Sequence, residues 1–312
     1  MYFCTIFITH KMKKLETGPS WGYHILALVT IFIWGTTFAS TKVLLGHNLT
    51  PSEIMCYRFG IAYVISWLCS RKLFANSLTD ELFLVLAGFM GGTVYFLAEN
   101  TALQYSITSN VALIVCSTPV LTALLAIIFI KAERLTAKLV SGSCIALIGM
   151  AFVILNGTIL KFNPIGDVLA FVAALSWAVY SVVLRRFDGR YSMWFITRKI
   201  FFYGLLTISP IILLRGETFH LEAFAEPPVY LNILFLGIIA SMLCFYSWNV
   251  VMEKLGTIRA SNYLYTQPIV SLLCSVIILH EPLTFIAIIG TAFILIGIYI
   301  AQHGLSFKKF KF

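Results

Sequence analysis

The sequence predicts an all-α integral membrane protein: ten transmembrane helices arranged as two inverted five-helix repeats, with both termini cytoplasmic. Three observations predict it. Only 11% of the 312 residues are charged against 60% apolar, with a mean hydropathy of +0.92, too few charges to cover a soluble surface of that size. The second half restates the first: Pro119, Glu133, Leu135, Thr136, Gly142 and Gly149 recur as Pro268, Glu281, Leu283, Thr284, Gly290 and Gly297. At a constant offset Phe96, Asn100, Leu103, Thr108 and Thr122 also pair with Phe245, Asn249, Met252, Thr257 and Ser271. Finally, the basic residues fall on one side of the membrane. Lys13, Lys14, Arg71, Lys72, Arg134, Lys138, Arg185, Arg186, Arg190, Lys254, Arg259 and Lys308 fall in alternate loops and tails, while the opposite loops hold only Lys42, Lys161 and Arg215. Short loops rich in lysine and arginine stay cytoplasmic.

A span needs about 20 mainly apolar residues, which places segments near 22–45, 52–70, 81–104, 108–130, 136–157, 165–186, 193–214, 229–252, 257–279 and 283–303. Short polar turns such as Gly46-His47-Asn48, Asp188-Gly189 and Pro227-Pro228 separate them. The repeats are then 22–157 and 158–303, flanked by a cytoplasmic segment 1–21 and a basic cytoplasmic tail 304–312. Residues 1–11 precede Met12-Lys13-Lys14, a credible true start, and are set aside from fold reasoning. The longest loop, 215–228, carries Glu217, Glu222 and Glu226 and reads as a solvated surface segment without assigned function. An odd number of helices per half makes the second half enter from the opposite side, an arrangement suited to alternating access.

Taken in order, the first helix carries Thr30, Trp34, Thr37 and Thr41 as one polar stripe. The second carries Arg58 and the third Glu99 at matching depth, which predicts an Arg58–Glu99 pair or a common link to substrate; snorkelling of Arg58 to the outer headgroups is the alternative. Asn100 follows Glu99, and Gly88 and Gly92 form a packing step in the same helix. The fourth helix is expected to kink at Pro119, and the fifth presents Gly142 and Gly149 on one face. Trp177 lies at mid-depth in the sixth, as Trp34 does in the first, either packing in the core or walling a cavity. Ser192, Arg198 and Tyr203 of the seventh repeat Ser52, Arg58 and Tyr63, with Arg198 close to the cytoplasmic face beside Lys199. The eighth carries Asn249 opposite Asn100 but Trp248 opposite Glu99, so the halves differ at one acidic position. Tyr263, Gln267 and Ser271 line one face of the ninth, with a second kink point at Pro268, and Gly290 and Gly297 mark the packing face of the tenth.

The seven cysteines match neither a zinc site nor a redox pair, no histidine relay crosses the membrane, and no G-x-x-x-x-G-K-[ST] loop occurs. No cofactor or metal is called for.

The Trp34-Gly35 pair, Tyr57-Arg58-Phe59, Ala102-Leu103-Gln104-Tyr105 with Ser109-Asn110, and Pro119 through Glu133-Arg134-Leu135 with the echo Ser261-Asn262, Pro268 and Glu281-Pro282-Leu283 resemble the EamA-type branch of the drug/metabolite transporter superfamily. The resemblance covers nearly all of residues 22–303. It implies a ten-helix inverted-repeat fold in a bacterial cytoplasmic (inner) membrane, export of amino acids or other small metabolites, peripheral fifth and tenth helices, and a cavity lined by the others.

The expected function is a gradient-driven or exchange transporter for a small metabolite such as an amino acid. Substrate-pathway residues are expected at Trp34, Thr37, Arg58, Glu99, Asn100, Trp177, Trp248, Asn249, Tyr263 and Gln267, with hinges at Pro119 and Pro268. Export of drugs, nucleosides or bases is the alternative; a membrane-embedded enzyme lacks a visible catalytic grouping, and a sensor would not need mid-depth polar groups. Expected partners are the bilayer, a small-molecule substrate, and a proton or exchanged solute. The +9 charge reports topology and not nucleic acid, and the glycine faces are compatible with a homodimer.

Overall fold

A computed structural model describes residues 21–106, 111, 114–129, 136–154, 163–270, 273 and 284–303. The early start at 1–11, the basic tail, Thr108, Ser109, Asn110, Glu133, Arg134, Ser271, His280 and Glu281 to Leu283 lie outside these residues. Among the described residues every regular element is helical: α1 (Trp21–Gly46), α2 (Pro51–Cys69), α3 (Leu78–Tyr105), α4 (Thr118–Phe129), α5 (Ala137–Ile154), α6 (Pro164–Leu184), α7 (Met193–Arg215), α8 (Pro227–Leu255), α9 from Thr257–Ser261 onward, and α10 (Phe285–His303). Among the described residues five stretches are long and apolar enough to cross a membrane: α1, α3, Pro164–Phe187, α7 and α8. Parts of α4, α5 and α10 are apolar but shorter, and the 19 residues of α2 carry buried Glu53 and Arg58.

Helix starts follow local chemistry. Thr50 and Glu53 form a capping box on α2: the Glu53 backbone N–H donates to Thr50 Oγ1 at 3.2 Å and the Thr50 N–H donates to Glu53 Oε2 at 2.8 Å. Ser77, Asn163 and Ser192 cap α3, α6 and α7 in the same sense. At the other end of α7, Gly216 adopts φ +62, the left-handed stop that glycine takes most cheaply.

Two helices contain a feature that hydropathy does not predict. Wider π-helical turns interrupt α3 at Phe89–Val94 and α8 at Phe235–Leu243, and under the Phe96–Phe245 offset the first falls on 238–243, inside the second. An inserted residue in a helix is retained mostly where it serves a site. Each π turn packs on the second helix of the opposite half, α2 against the α8 turn and α7 against the α3 turn, while α3 packs on α6 and α8 on α1. The halves interlock through their repeat-related parts.

The helix-4 and helix-9 readings need refinement. Pro119 and Pro268 do not bend continuous helices: α4 begins at Thr118 after a turn at Cys116–Ser117, and Pro268 follows a 3₁₀ stretch at Asn262–Thr266. A proline lacks the donor that an α-helix would need from that position, so each helix resumes at its proline. The glycine faces of α5 and α10 do what their spacing predicts. A Cβ on Gly142 would come within 2.5 Å of the Gly297 carbonyl, and one on Gly149 within 2.5 Å of the Gly290 carbonyl. These helices pack chiefly on each other and meet the rest of the fold along α9.

The long loop is a surface segment, as read, and it also makes specific contacts. It folds back on the start of α2: Thr50 Oγ1 donates to Glu217 at 3.2 Å, the His220 backbone N–H donates to Glu53 at 2.6 Å, and Phe224 packs edge-on to Tyr57 at 4.8 Å. The His220 ring also meets Glu53 at 3.0 Å, a contact that raises the imidazole pKa above its usual value.

Candidate functional site

A cavity of about 500 Å³, counting the space at its mouth, lies where α1, α2, α3, α4, α6, α8 and α9 converge. Its walls are aromatic. Trp34 of α1 and Trp177 of α6 meet edge to face at 5.3 Å, Tyr95 of α3 sits 4.9 Å from Trp177, and Phe245 of α8 lies 5.9 Å from Trp34. Edge-to-face contacts are a favoured geometry for packed aromatic rings. Trp34 is fixed further by its indole N–H, which donates to the Ala240 carbonyl inside the α8 π turn at 2.9 Å. The Trp177 indole N–H is buried with no hydrogen-bond partner among the described residues.

Two charges line this aromatic chamber. Arg58 is 3% exposed and Glu99 8% exposed. Charges withdrawn this far from water are expensive and usually functional in a membrane protein. The predicted direct pair does not form: no Arg58–Glu99 contact falls within the 4.0 Å of an ion pair. Each charge has a separate holder. Arg58 donates from Nε to Ser241 Oγ of the α8 π turn at 2.8 Å and lies 4.3 Å over the Phe96 ring. Glu99 accepts the Tyr95 hydroxyl on Oε1 at 2.7 Å, one helical turn away. Instead both face one cavity. Snorkelling is also excluded, because Arg58 is enclosed.

Gln267 and Thr37 add polar groups to the wall, and Thr37 spends its hydroxyl on the Trp34 carbonyl at 2.7 Å. Gln267 makes no side-chain hydrogen bond among the described residues, which leaves an amide for a ligand. Thus Trp34, Thr37, Arg58, Glu99, Trp177 and Gln267 of the sequence-predicted set come together. Four others do not line the cavity. Trp248 is fully buried behind Trp34 at 5.3 Å. Tyr263 bonds His24 at the start of α1. Asn100 is enclosed with both amide atoms unpartnered among the described residues, and Asn249 binds Tyr180 and Thr197 at 2.6 and 2.9 Å. Sequence reasoning missed Tyr95, Phe96, Val115, Thr118, Phe245 and Leu264. Of these, Phe96 and Phe245 stood in the repeat alignment, and Tyr95 lies at the i−4 position from Glu99, where a hydroxyl reaches a carboxylate.

The chamber offers a guanidinium, a carboxylate, an amide and ring faces, a set that binds a polar solute of mixed character. Among the described residues no group of three His, Cys, Asp or Glu could hold a metal.

The EamA-like transporter family model matches residues 21–155 and again 164–301. The chain belongs to the EamA-like transporter family. The double match also establishes the duplication, one EamA unit per half. An uncharacterized transporter of Archaeoglobus fulgidus is 26% identical over 289 residues, 90% of this chain and 98% of its own; a second from that organism is 29% identical over 282 residues, 88% and 97% of the two chains. A probable amino-acid metabolite efflux pump of Escherichia coli is 23% identical over 296 residues, covering 91% and 96%. One solved structure superposes with a TM-score of 0.69 at 21% identity, covering 90% of this chain and 97% of its own, a likeness of fold. Family and relatives are transporters, which points away from an enzyme. The helices of this EamA protein are those of a multi-pass membrane protein.

Proposed function

We propose that this EamA-family protein is a secondary exporter or exchanger of a zwitterionic metabolite, an amino acid or a close analogue, in the bacterial cytoplasmic membrane. One observation carries the reading: Arg58 and Glu99 line a single aromatic-walled cavity without forming a direct ion pair. Arg58 is the partner for a carboxylate, by the forked geometry of its guanidinium, and Glu99 for an ammonium group. Trp34 and Trp177 wall the apolar part of the solute, with Gln267 supplying a further hydrogen bond. The name of the Escherichia coli relative supports the amino-acid class and the outward direction.

On this reading ten helices span the bilayer as two inverted repeats, both termini are cytoplasmic, and the repeats exchange roles as the cavity opens to one side and then the other. A proton or an exchanged solute supplies the driving force. The aromatic walls also favour flat-ring solutes, so nucleobases and nucleosides form the second class to test.

The test is counterflow into proteoliposomes preloaded with unlabelled amino acids or nucleosides one pool at a time. Accumulation of labelled amino acid above empty liposomes supports the reading. Accumulation of bases alone transfers the site to the second class, and silence with every solute, in protein shown to be folded, removes the transport reading.

A further inference from the structure

Opposite charges facing one low-dielectric cavity attract strongly, and two flexible side chains left to themselves would close on each other. Arg58 and Glu99 do not. The restraint comes from two residues outside the sequence-predicted site. Tyr95 takes Glu99 Oε1 at 2.7 Å, and its ring is wedged 4.9 Å from Trp177 and 5.0 Å from Phe96. Ser241, fully buried in the π turn of α8, takes Arg58 Nε at 2.8 Å, and the Phe96 ring lies under the guanidinium. Each charge is therefore tethered to a group that is itself immobile.

The repeat does not duplicate this arrangement. The repeat mates of Glu99, Tyr95 and Ser241 are Trp248, Cys244 and Gly92. A Cβ at Gly92 would meet the Phe59 ring at 2.9 Å, so no hydroxyl can stand there. Arg198, the mate of Arg58, donates instead to the Lys72 carbonyl and lies over Trp67. The acid and its phenol stand in the first half, the serine that holds Arg58 comes from the second, and none of the three is repeated at its mate.

We propose that Tyr95 and Ser241 are positioning residues that hold Glu99 and Arg58 apart, which makes the site specific for solutes carrying both a carboxylate and an ammonium group. This rests on the zwitterion reading given above. Removing the Tyr95 hydroxyl alone should free Glu99 to collapse onto Arg58 and close the site to the solute.

The experiment measures equilibrium binding to purified protein by quenching of tryptophan fluorescence, using the amino acid that the wild type accumulates in counterflow and its N-acetyl derivative, which keeps only the carboxylate. Tyr95→Phe keeps the ring; it should raise Kd for the amino acid roughly tenfold or more, the scale of one charge-assisted hydrogen bond. Ser241→Ala should act in the same direction. In a Glu99→Gln background no carboxylate remains to collapse, so adding Tyr95→Phe should leave Kd for the N-acetyl compound unchanged within twofold. A tenfold loss that persists there identifies Tyr95 as a packing residue and overturns the proposal. So does an amino-acid Kd unaltered by Tyr95→Phe, or a Glu99→Gln protein that does not bind the N-acetyl compound. A wild type that accumulates no zwitterion in counterflow is a different failure, and overturns the functional reading as well.

Discussion

The two halves of the chain carry the same residues at three buried positions and use them in opposite ways. In the first half Trp34 is satisfied by the Ala240 carbonyl, while Asn100 has no partner for either amide atom among the described residues. In the second half Trp177 has no partner for its indole N–H among the described residues, while Asn249 is satisfied on both sides, accepting from Tyr180 and donating to Thr197. The repeat mates of Tyr180 and Thr197 are Thr37 and Tyr57; Thr37 turns to the Trp34 carbonyl and the Tyr57 hydroxyl is buried unpartnered. Arg58 faces the cavity; Arg198 donates to the Lys72 carbonyl and lies over the Trp67 ring, and its neighbour Lys199 meets Glu81. The lesson is a division of labour. The first half supplies the charges of the cavity, and the second supplies a closed polar seam.

The sharpest way to break this comparison is to remove the two arginines in turn. Arg58→Ala should lower transport by about 100-fold with folding preserved, since a bidentate charge-assisted contact is worth roughly 3 kcal/mol. Arg198→Ala should leave the KM of the surviving protein unaltered and act on yield and melting temperature; equal loss of transport affinity in both would erase the distinction. The asparagines give the next effect. Asn249→Ala strands the Tyr180 and Thr197 hydroxyls and should destabilise the protein by about 1–3 kcal/mol, two interhelical bonds at the upper end of their measured range. Asn100→Ala removes a group that bonds to nothing here and should cost less, as thermal unfolding in detergent would show.

A smaller difference separates the tryptophans. Trp34→Phe loses the bond to Ala240 and should cost about 0.6 kcal/mol or somewhat more; Trp177→Phe loses no bond within the protein, so any effect should fall on substrate KM. The smallest effect concerns the loop over α2. His220 is held by Glu53, with Glu222 also nearby, and its pKa lies above 6.5. A raised folded-state pKa means that the contact contributes fully below about pH 6.5 and is lost as pH rises through the folded value. Hydrogen exchange over Leu221–Ala225, corrected for intrinsic rates, should quicken from about pH 5.5 to about pH 8.5, and His220→Gln should flatten that change.

Much of this was readable before any coordinates, for identifiable reasons. Hydropathy and the repeat located the helices, because length and apolarity are the whole requirement for such a segment. Gly142, Gly149, Gly290 and Gly297 marked a close helix pair, because backbone approach demands small residues at that spacing. Trp34, Arg58, Glu99 and Gln267 were found because polar or charged groups inside an apolar span need a partner or a cavity. Two things were not legible. Shared depth cannot distinguish an ion pair from two charges facing one space, since that depends on rotamers and on holders from another helix, as Ser241 shows. The π turns of α3 and α8 are invisible to hydropathy, and Asn100, Trp248 and Asn249 lie off the cavity; Asn100 follows Glu99 in one regular helical stretch and projects about 100° away from it.

The account's central claim is that Arg58 takes the substrate's carboxylate, and a two-by-two binding measurement tests it most directly. Affinity is measured for the transported amino acid and for its carboxamide, which lacks the carboxylate, in wild type and in Arg58→Ala. The account predicts that capping the carboxylate weakens binding at least tenfold in wild type and by less than twofold in Arg58→Ala, a coupling of about 1 kcal/mol or more. Equal losses in both proteins would place the carboxylate elsewhere and contradict the account.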